Sequence, residues 1–111
     1  MKLLFSRQLL EVNNVLVEIR EKSFNAYQEI ESFENNLDIK GEYGATASFI
    51  GSMRDFNEGR EVTSMFLEYY PEMTEKQLNK ITNNAKEKWN LLEILLLHRI
   101  GHIDIGEHVV L

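Results

Sequence analysis

The sequence predicts a single α+β domain of two layers, with two principal helices packed on a mainly antiparallel sheet. Three observations support this fold class. Several short segments alternate apolar and polar residues with the period of a β-strand, and two longer segments carry apolar residues at helical spacing. The chain has 111 residues, 43% of them hydrophobic, which is enough for one core and too short for two ordinary domains. We therefore expect residues 1–111 to form one domain.

The first predicted elements are a strand and a helix. Val15 to Arg20 alternates loosely, as a strand does. Ser23 is a plausible N-cap for a helix that ends near Asn35 and Asn36, before the next glycines. The apolar positions of this helix share one face and are Ala26, Ile30, Phe33 and Leu37.

A pair of strands is predicted next. From Gly44 the pattern has period two and leads into Arg54. Residues 55–60 have turn chemistry, and the alternation resumes from Val62 to Tyr70. We expect these two strands to pair as an antiparallel hairpin.

The second helix follows Pro71, the only proline, which suits the exit from a strand and the entry to a helix. Thr74 and Gln77 have the spacing of a capping box. An apolar stripe along this helix is expected to pack in the core, and it consists of Leu78, Ile81, Ala85 and Trp89.

Two strands complete the predicted order. Leu91 to Leu97 is short and almost wholly apolar, which favours a strand buried on both faces. A final strand is expected after Gly106, and the chain stops inside it at Leu111.

Composition excludes several kinds of function. The sequence has no cysteine, so a disulfide framework, a thiolate metal site and a cysteine nucleophile on this chain are excluded. A formal charge of −6 argues against general binding of nucleic acid. We find neither a secretory signal nor an apolar run of membrane-spanning length, so a cytoplasmic protein without membrane contact is the simplest interpretation.

Two groups of residues are candidates for chemistry. Arg54 stands where a strand gives way to a polar loop, a position from which a guanidinium can bind phosphate or carboxylate, although an isolated arginine there is more often solvated. A cluster of histidines and one aspartate raises a metal site, and with it a metal-dependent hydrolase, as a weaker hypothesis. Its spacing favours polar turn residues instead, and its members are His98, His102, Asp104 and His108.

The lysines of the second helix offer no evident nucleophile. A reacting lysine needs desolvation or a nearby cation to lower its pKa. The sequence predicts a hydrated helix surface for Lys76, Lys80, Lys86 and Lys88.

Three blocks occur in an order and spacing typical of one family: Gly51 to Arg54, Leu67 to Lys76 and His98 to Gly101. Together they resemble the large, catalytic subunit of molybdopterin synthase. The middle block is the most specific, because it joins a strand end, a proline turn and a helix start in an unusual acidic and aromatic sequence. We assign that block to the fold, with Met73 filling the core.

The resemblance covers residues 15–111, and residues 1–14 are interpreted as an N-terminal extension. It implies a two-layer α/β hammerhead-like domain. It also implies that Ser52, Met53 and Arg54 contact a pterin substrate. The reacting lysines of the family lie in a C-terminal segment that follows the position of Leu111, so no residue here takes their roles.

The implied activity is that of a sulfurtransferase in molybdenum cofactor biosynthesis, without a cofactor of its own. Such enzymes transfer sulfur to a cyclic pyranopterin monophosphate to form the dithiolene of molybdopterin. The sulfur arrives as a thiocarboxylate on the C-terminal Gly-Gly of a small, ubiquitin-like partner subunit. The large subunits form the homodimer core of a heterotetramer. The alternative is a truncated, non-catalytic binding subunit that keeps the dimer or small-subunit interface, and the gene sequence beyond Leu111 distinguishes the two.

Overall fold

The computed structural model describes residues 15–39, 41–57, 60–61 and 63–111. The predicted N-terminal extension, Val62 at the start of a predicted strand, and Glu58 and Gly59 in the predicted turn lie outside the described residues. The described residues form two helices and a set of mainly antiparallel strands, which confirms the predicted α+β class.

The first half of the chain contains β1 (Val15–Arg20), α1 (Ala26–Asn35), β2 (Gly51–Ser52), β3 (Phe56–Asn57), β4 (Arg60–Glu61) and β5 (Ser64–Leu67). The second half contains α2 (Pro71–Trp89), β6 (Ile94–Arg99), β7 (Gly101–Asp104) and β8 (His108–Val110). The predicted first strand and the predicted end of the first helix are confirmed.

The central sheet has the strand order β1-β6-β8-β2. β1 runs parallel to β6, with Val15 opposite Ile94 and Arg20 opposite Arg99. β8 is antiparallel to both β6 and β2. Two smaller antiparallel pairs, β3 with β4 and β5 with β7, complete the described sheets.

The helix starts differ from the predictions. Asn25, not Ser23, caps α1, because its side chain accepts hydrogen bonds from the amides of Tyr27 and Gln28. α2 begins at Pro71, and the side chain of the preceding Tyr70 makes no capping bond. The predicted capping box at Thr74 is therefore wrong, since Thr74 already lies inside the first turns of the helix.

The predicted hairpin is also wrong as a pairing of two long strands. Residues 44–50 form no strand among the described residues, and almost all of them are exposed. β2 pairs with β8 and β5 pairs with β7, so within the described residues the two segments are joined by the short β3–β4 pair alone. The chain reverses where turn chemistry predicts it, but the sheet partners come from the C-terminal part of the chain.

The core is small and centred on the last strands. Leu97 of β6 and Ile103 of β7 are fully buried, and Ala26 and Met53 join them. On α2 the buried face is centred on Thr82, whose hydroxyl donates to the carbonyl oxygens of Leu78 and Asn79 at 2.9 and 3.0 Å.

Parts of the predicted core are therefore wrong. Ile81 and Trp89 of the expected stripe are more than half exposed, as is Met73. Leu78 and Ala85 are half-buried, and their helical spacing places them on the same face as Thr82. The predicted apolar strand begins three residues late, at Ile94, and Leu91 and Leu92 before it are exposed.

Candidate functional site

The residues from Ser52 to Arg54 lie at a junction between β2 and β3, next to the turn that joins β7 to β8. Gly51 pairs with Val110 and Ser52 with His108, so the register shifts by one residue between the two pairs. An irregularity of this kind bends the strand and redirects the side chains that follow it. The path of the chain into Arg54 is thus set by β8.

Met53 is held by its backbone on both sides. Its amide donates to the carbonyl oxygen of Glu107 at 2.9 Å, and its carbonyl oxygen accepts from the amide of Gly106 at 2.8 Å. The side chain is only 7% exposed and belongs to the core. Gly106 has a φ of +84°, a left-handed conformation that favours glycine in this turn. Met53 is therefore a fixed point from which Arg54 leaves the domain.

Arg54 and Ser52 are exposed, on either side of the buried Met53. A guanidinium presents several N–H donors in a planar fork, which matches the oxygens of a phosphate or carboxylate. Of the three predicted substrate-binding residues, two thus offer their side chains to solvent. Met53 could contribute only by fixing the backbone, because both of its main-chain polar groups are already bonded within the chain.

Sequence reasoning missed Arg99, the last residue of β6, which is 3% exposed. Its Nη2 donates to the carbonyl oxygen of His102 at 2.7 Å, and its Nη1 lies 3.4 Å from Oε1 of Glu107. Its Nε has no hydrogen-bond partner among the described residues. The sequence could have predicted this burial. Arg99 is two residues after Leu97 on a strand, so both side chains lie on the same, buried face.

Glu107 connects Arg99 to the turn before β8. The same Oε1 that faces Arg99 accepts a hydrogen bond from the amide of Asp104 at 2.8 Å. The Glu107 amide donates back to the carbonyl oxygen of Asp104 at 3.1 Å. The turn that holds Met53 is therefore closed by side-chain and backbone bonds at once.

The three histidines have separate environments. Nδ1 of His108 accepts a hydrogen bond from the Ala26 amide at the start of α1, at 2.8 Å. His102 and Asp104 face each other at 2.8 Å on the exposed side of β7. His98 Nδ1 lies 2.7 Å from the carbonyl oxygen of Arg99.

All three histidines lie on strands, so their interpretation as turn residues is wrong. Within the described residues, no group of three or more histidine, aspartate or glutamate side chains is arranged to hold a metal ion. Gly101, the first residue of β7, adopts a φ of +77°, a left-handed conformation that favours glycine at the junction with β6.

The lysines of α2 lie mainly on its outer surface. Lys76, Lys80 and Lys88 are exposed, and Lys86 is half-buried. The ammonium of Lys88 lies 5.1 Å from the centre of the Trp89 ring, within the range of a cation–π contact. None of these positions adjoins Arg54 in the chain, and we assign them no chemistry.

The block around Pro71 forms local bonds between tyrosines and glutamates. Tyr70 donates to Glu68 at 2.7 Å, and Tyr69 donates to Glu75 at 3.2 Å. The hydrogen bond to Glu68 raises the pKa of Tyr70, because loss of the phenolic proton would place two negative charges together. Desolvation and then Glu75 raise the pKa of Tyr69. These contacts fit the structural role assigned to this block.

An open, largely apolar cavity of about 630 Å³ lies elsewhere on the domain. It is bounded by Phe33 and Leu37, by residues 42–49, by Leu91–Leu96, and by Val110 and Leu111. None of Ser52, Met53 and Arg54 lines it. Arg54 itself is exposed in the single chain.

These features define a class of protein: a small α+β domain that presents an exposed arginine from a backbone-fixed strand junction. No described helix is long and apolar enough to cross a membrane. The family model described as MoaE protein matches residues 19–111. The chain belongs to the MoaE protein family, and the resemblance noted from its three motifs is confirmed.

Curated relatives and solved structures agree with this assignment. The molybdopterin synthase catalytic subunit of Pseudomonas aeruginosa is 44% identical over 95 residues, which are 85% of this chain and 61% of the relative. The corresponding subunit of Haemophilus influenzae is 47% identical over 68 residues, which are 61% of this chain and 45% of the relative.

The structure of molybdopterin cofactor biosynthesis protein E from Burkholderia multivorans superposes with a TM-score of 0.70 at 29% identity. The match covers 86% of this chain and 60% of the Burkholderia multivorans protein. The molybdopterin biosynthesis MoaE protein from Burkholderia ambifaria gives a TM-score of 0.71 at 30% identity, with the same coverage. Among the curated relatives, the chain spans about 61% of the length of the Pseudomonas aeruginosa protein.

Proposed function

We propose that this protein is the large subunit of molybdopterin synthase. In this role it transfers sulfur to a cyclic pyranopterin monophosphate and forms the dithiolene of molybdopterin. The observation that carries the proposal is the placement of Arg54, exposed beside a buried and doubly bonded Met53 in a chain of the MoaE family. Ser52 and Arg54 bind the pterin substrate, and Met53 fixes the backbone between them.

Arg54 contributes by positioning and by neutralising charge. A cyclic phosphate is a diester that brings one negative charge to a protein whose formal net charge is −6, so the overall field repels the substrate. A guanidinium at a fixed site offsets this repulsion locally and orients the ester through paired hydrogen bonds. The rigid backbone on either side of Met53 lowers the entropy lost when the complex forms.

The sulfur is supplied by a second protein. The chain has no cysteine, so it carries no thiol donor of its own. We propose that a small, ubiquitin-like subunit brings the sulfur as a thiocarboxylate on its C-terminal Gly-Gly. Because Arg54 is exposed in the single chain, we propose that a partner subunit in a heterotetramer covers the reaction site.

Reconstitution tests this function. The protein at its full encoded length is mixed with thiocarboxylated small subunit and cyclic pyranopterin monophosphate, and the dithiolene product is measured. Product formation that requires both proteins supports the proposal. Absence of product with both proteins folded contradicts it, and stable association of the two proteins without product would assign a binding role instead.

A further inference from the structure

Arg99 is buried, and it pairs with Glu107 at the turn that holds the backbone of Met53, next to Arg54. We propose that this pair positions Arg54 through the backbone of Met53. The inference rests on the proposed function, because it assigns Arg99 and Glu107 to the same substrate site. They are positioning residues, not catalytic ones.

Arg99 is buried at the end of β6. A guanidinium that is 3% exposed has lost its hydration, so its bonds within the protein must hold it in one place. Its strongest bond, by distance, is the one to the carbonyl oxygen of His102. The Glu107 carboxylate is a longer contact at 3.4 Å, but it is the charged partner of Arg99 and it stands on the turn itself.

Glu107 also closes the turn between β7 and β8. Glu107 Oε1 accepts a hydrogen bond from the Asp104 amide, and the Glu107 amide donates one to the Asp104 carbonyl oxygen. One carboxylate oxygen therefore faces Arg99 and bonds to Asp104 at the same time. Loss of that carboxylate removes a bond inside the turn and leaves a buried cation without its counter-charge.

Two backbone hydrogen bonds link the turn to Met53, beside Arg54. The main-chain carbonyl oxygen of Glu107 accepts a hydrogen bond from the Met53 amide, and the Gly106 amide donates to the Met53 carbonyl oxygen, so a shift of the turn moves Met53 with it. Arg54 is the next residue along the chain. Arg99 is thus connected to Glu107 by an ion pair, and Glu107 is connected to Met53 by a backbone hydrogen bond. A peptide bond joins Met53 to Arg54.

The test uses Glu107→Ala, because Arg99→Ala risks loss of the fold. Glu107→Gln is the second variant, since it keeps an acceptor for the Asp104 amide and removes only the charge. Glu87→Ala, an exposed glutamate of α2, is the control for the change in net charge. Amide hydrogen exchange at Met53 and Gly106 and the affinity for cyclic pyranopterin monophosphate are measured for each variant.

We expect Glu107→Ala to accelerate exchange at Met53 and Gly106 and not at Leu96 in the parallel β1–β6 pair. Affinity should fall about threefold to tenfold, the scale of one lost hydrogen bond. In an Arg54→Ala background, Glu107→Ala should produce a smaller loss, because the main residue it positions is absent. Glu107→Gln should give a smaller effect in both measurements, and Glu87→Ala none.

Unchanged exchange at Met53 in Glu107→Ala overturns the inference. So does an equal loss of affinity with and without Arg54, because the pair would then act by another route. If Arg54→Ala alone leaves the affinity unchanged, the proposed site fails, and exchange at Met53 still decides separately whether the pair fixes this backbone.

Discussion

Replacement of Arg54 by alanine should weaken binding of cyclic pyranopterin monophosphate without destabilising the fold. The side chain is exposed, so its removal should change the free energy of unfolding by no more than about 0.5 kcal/mol. A hydrogen bond to a charged group contributes about 1.5–3 kcal/mol, which corresponds to roughly tenfold to 150-fold in the dissociation constant. Arg54→Lys should fall between wild type and alanine, because it keeps the charge and loses the planar fork.

Isothermal titration calorimetry measures these dissociation constants, and urea unfolding measures stability. Lys80→Ala is the matched control, since it removes one positive charge from the exposed surface of α2. The control should bind the substrate with nearly wild-type affinity. Two results would refute the reasoning: an unchanged affinity in Arg54→Ala, or an equal loss in Lys80→Ala, which would make net charge rather than a site responsible.

Three further predictions concern the fold that supports the site. Leu97→Ala should lower the free energy of unfolding by about 2–5 kcal/mol, because Leu97 is fully buried; a loss below about 1 kcal/mol in urea unfolding would contradict this packing. A Cβ at Gly51 would lie 2.8 Å from Cγ1 of Val110, so Gly51→Ala should lower the free energy of unfolding by about 1–3 kcal/mol. Adding Val110→Ala should recover part of this loss, and no recovery would contradict the contact. The pKa of Tyr70 should lie above the ordinary tyrosine value of about 10, because its hydroxyl donates to Glu68. The hydrogen bond should therefore stabilise the fold below about pH 10, and this stabilisation should be lost as the pH rises through the higher pKa of the folded state. Comparison of phenolate absorbance between wild type and Tyr70→Phe checks this, and a midpoint at or below the ordinary value would count against it.

Local sequence signals predicted the elements whose formation depends on local chemistry. Alternating valine and isoleucine defined β1, and Pro71 marked the start of α2 because its fixed backbone angle and missing N–H suit the first helical position. Turn residues after Arg54 predicted the chain reversal between β3 and β4.

Sheet partners could not be predicted in the same way, because pairing joins residues far apart in the chain. Residues 44–50 have the alternation of a strand, but no described strand pairs with them, and they border the open cavity instead. β5 pairs with β7, a strand that the sequence did not reveal, since only four residues form it.

The candidate site was predicted in part. The motif at Gly51 to Arg54 located the exposed arginine, and its role in binding substrate stays a prediction. Arg99 was not identified, because a charged residue near glycine is usually exposed, whereas here the position two residues after Leu97 turns it into the core. The hydrogen bond between Glu107 and Met53 joins residues far apart in the chain, so the sequence did not predict it.

The most direct test of the central claim is a titration of the protein with cyclic pyranopterin monophosphate, followed by NMR through the Nε–Hε signals of its arginines. The account predicts a saturable shift of the Arg54 signal and of the amides from Ser52 to Arg54. The Arg20 signal should not shift, since Glu18 and Glu29 already hold its guanidinium at 2.6–2.7 Å. Binding that leaves the Arg54 signal unshifted, or that shifts only residues around the apolar cavity, would contradict the account.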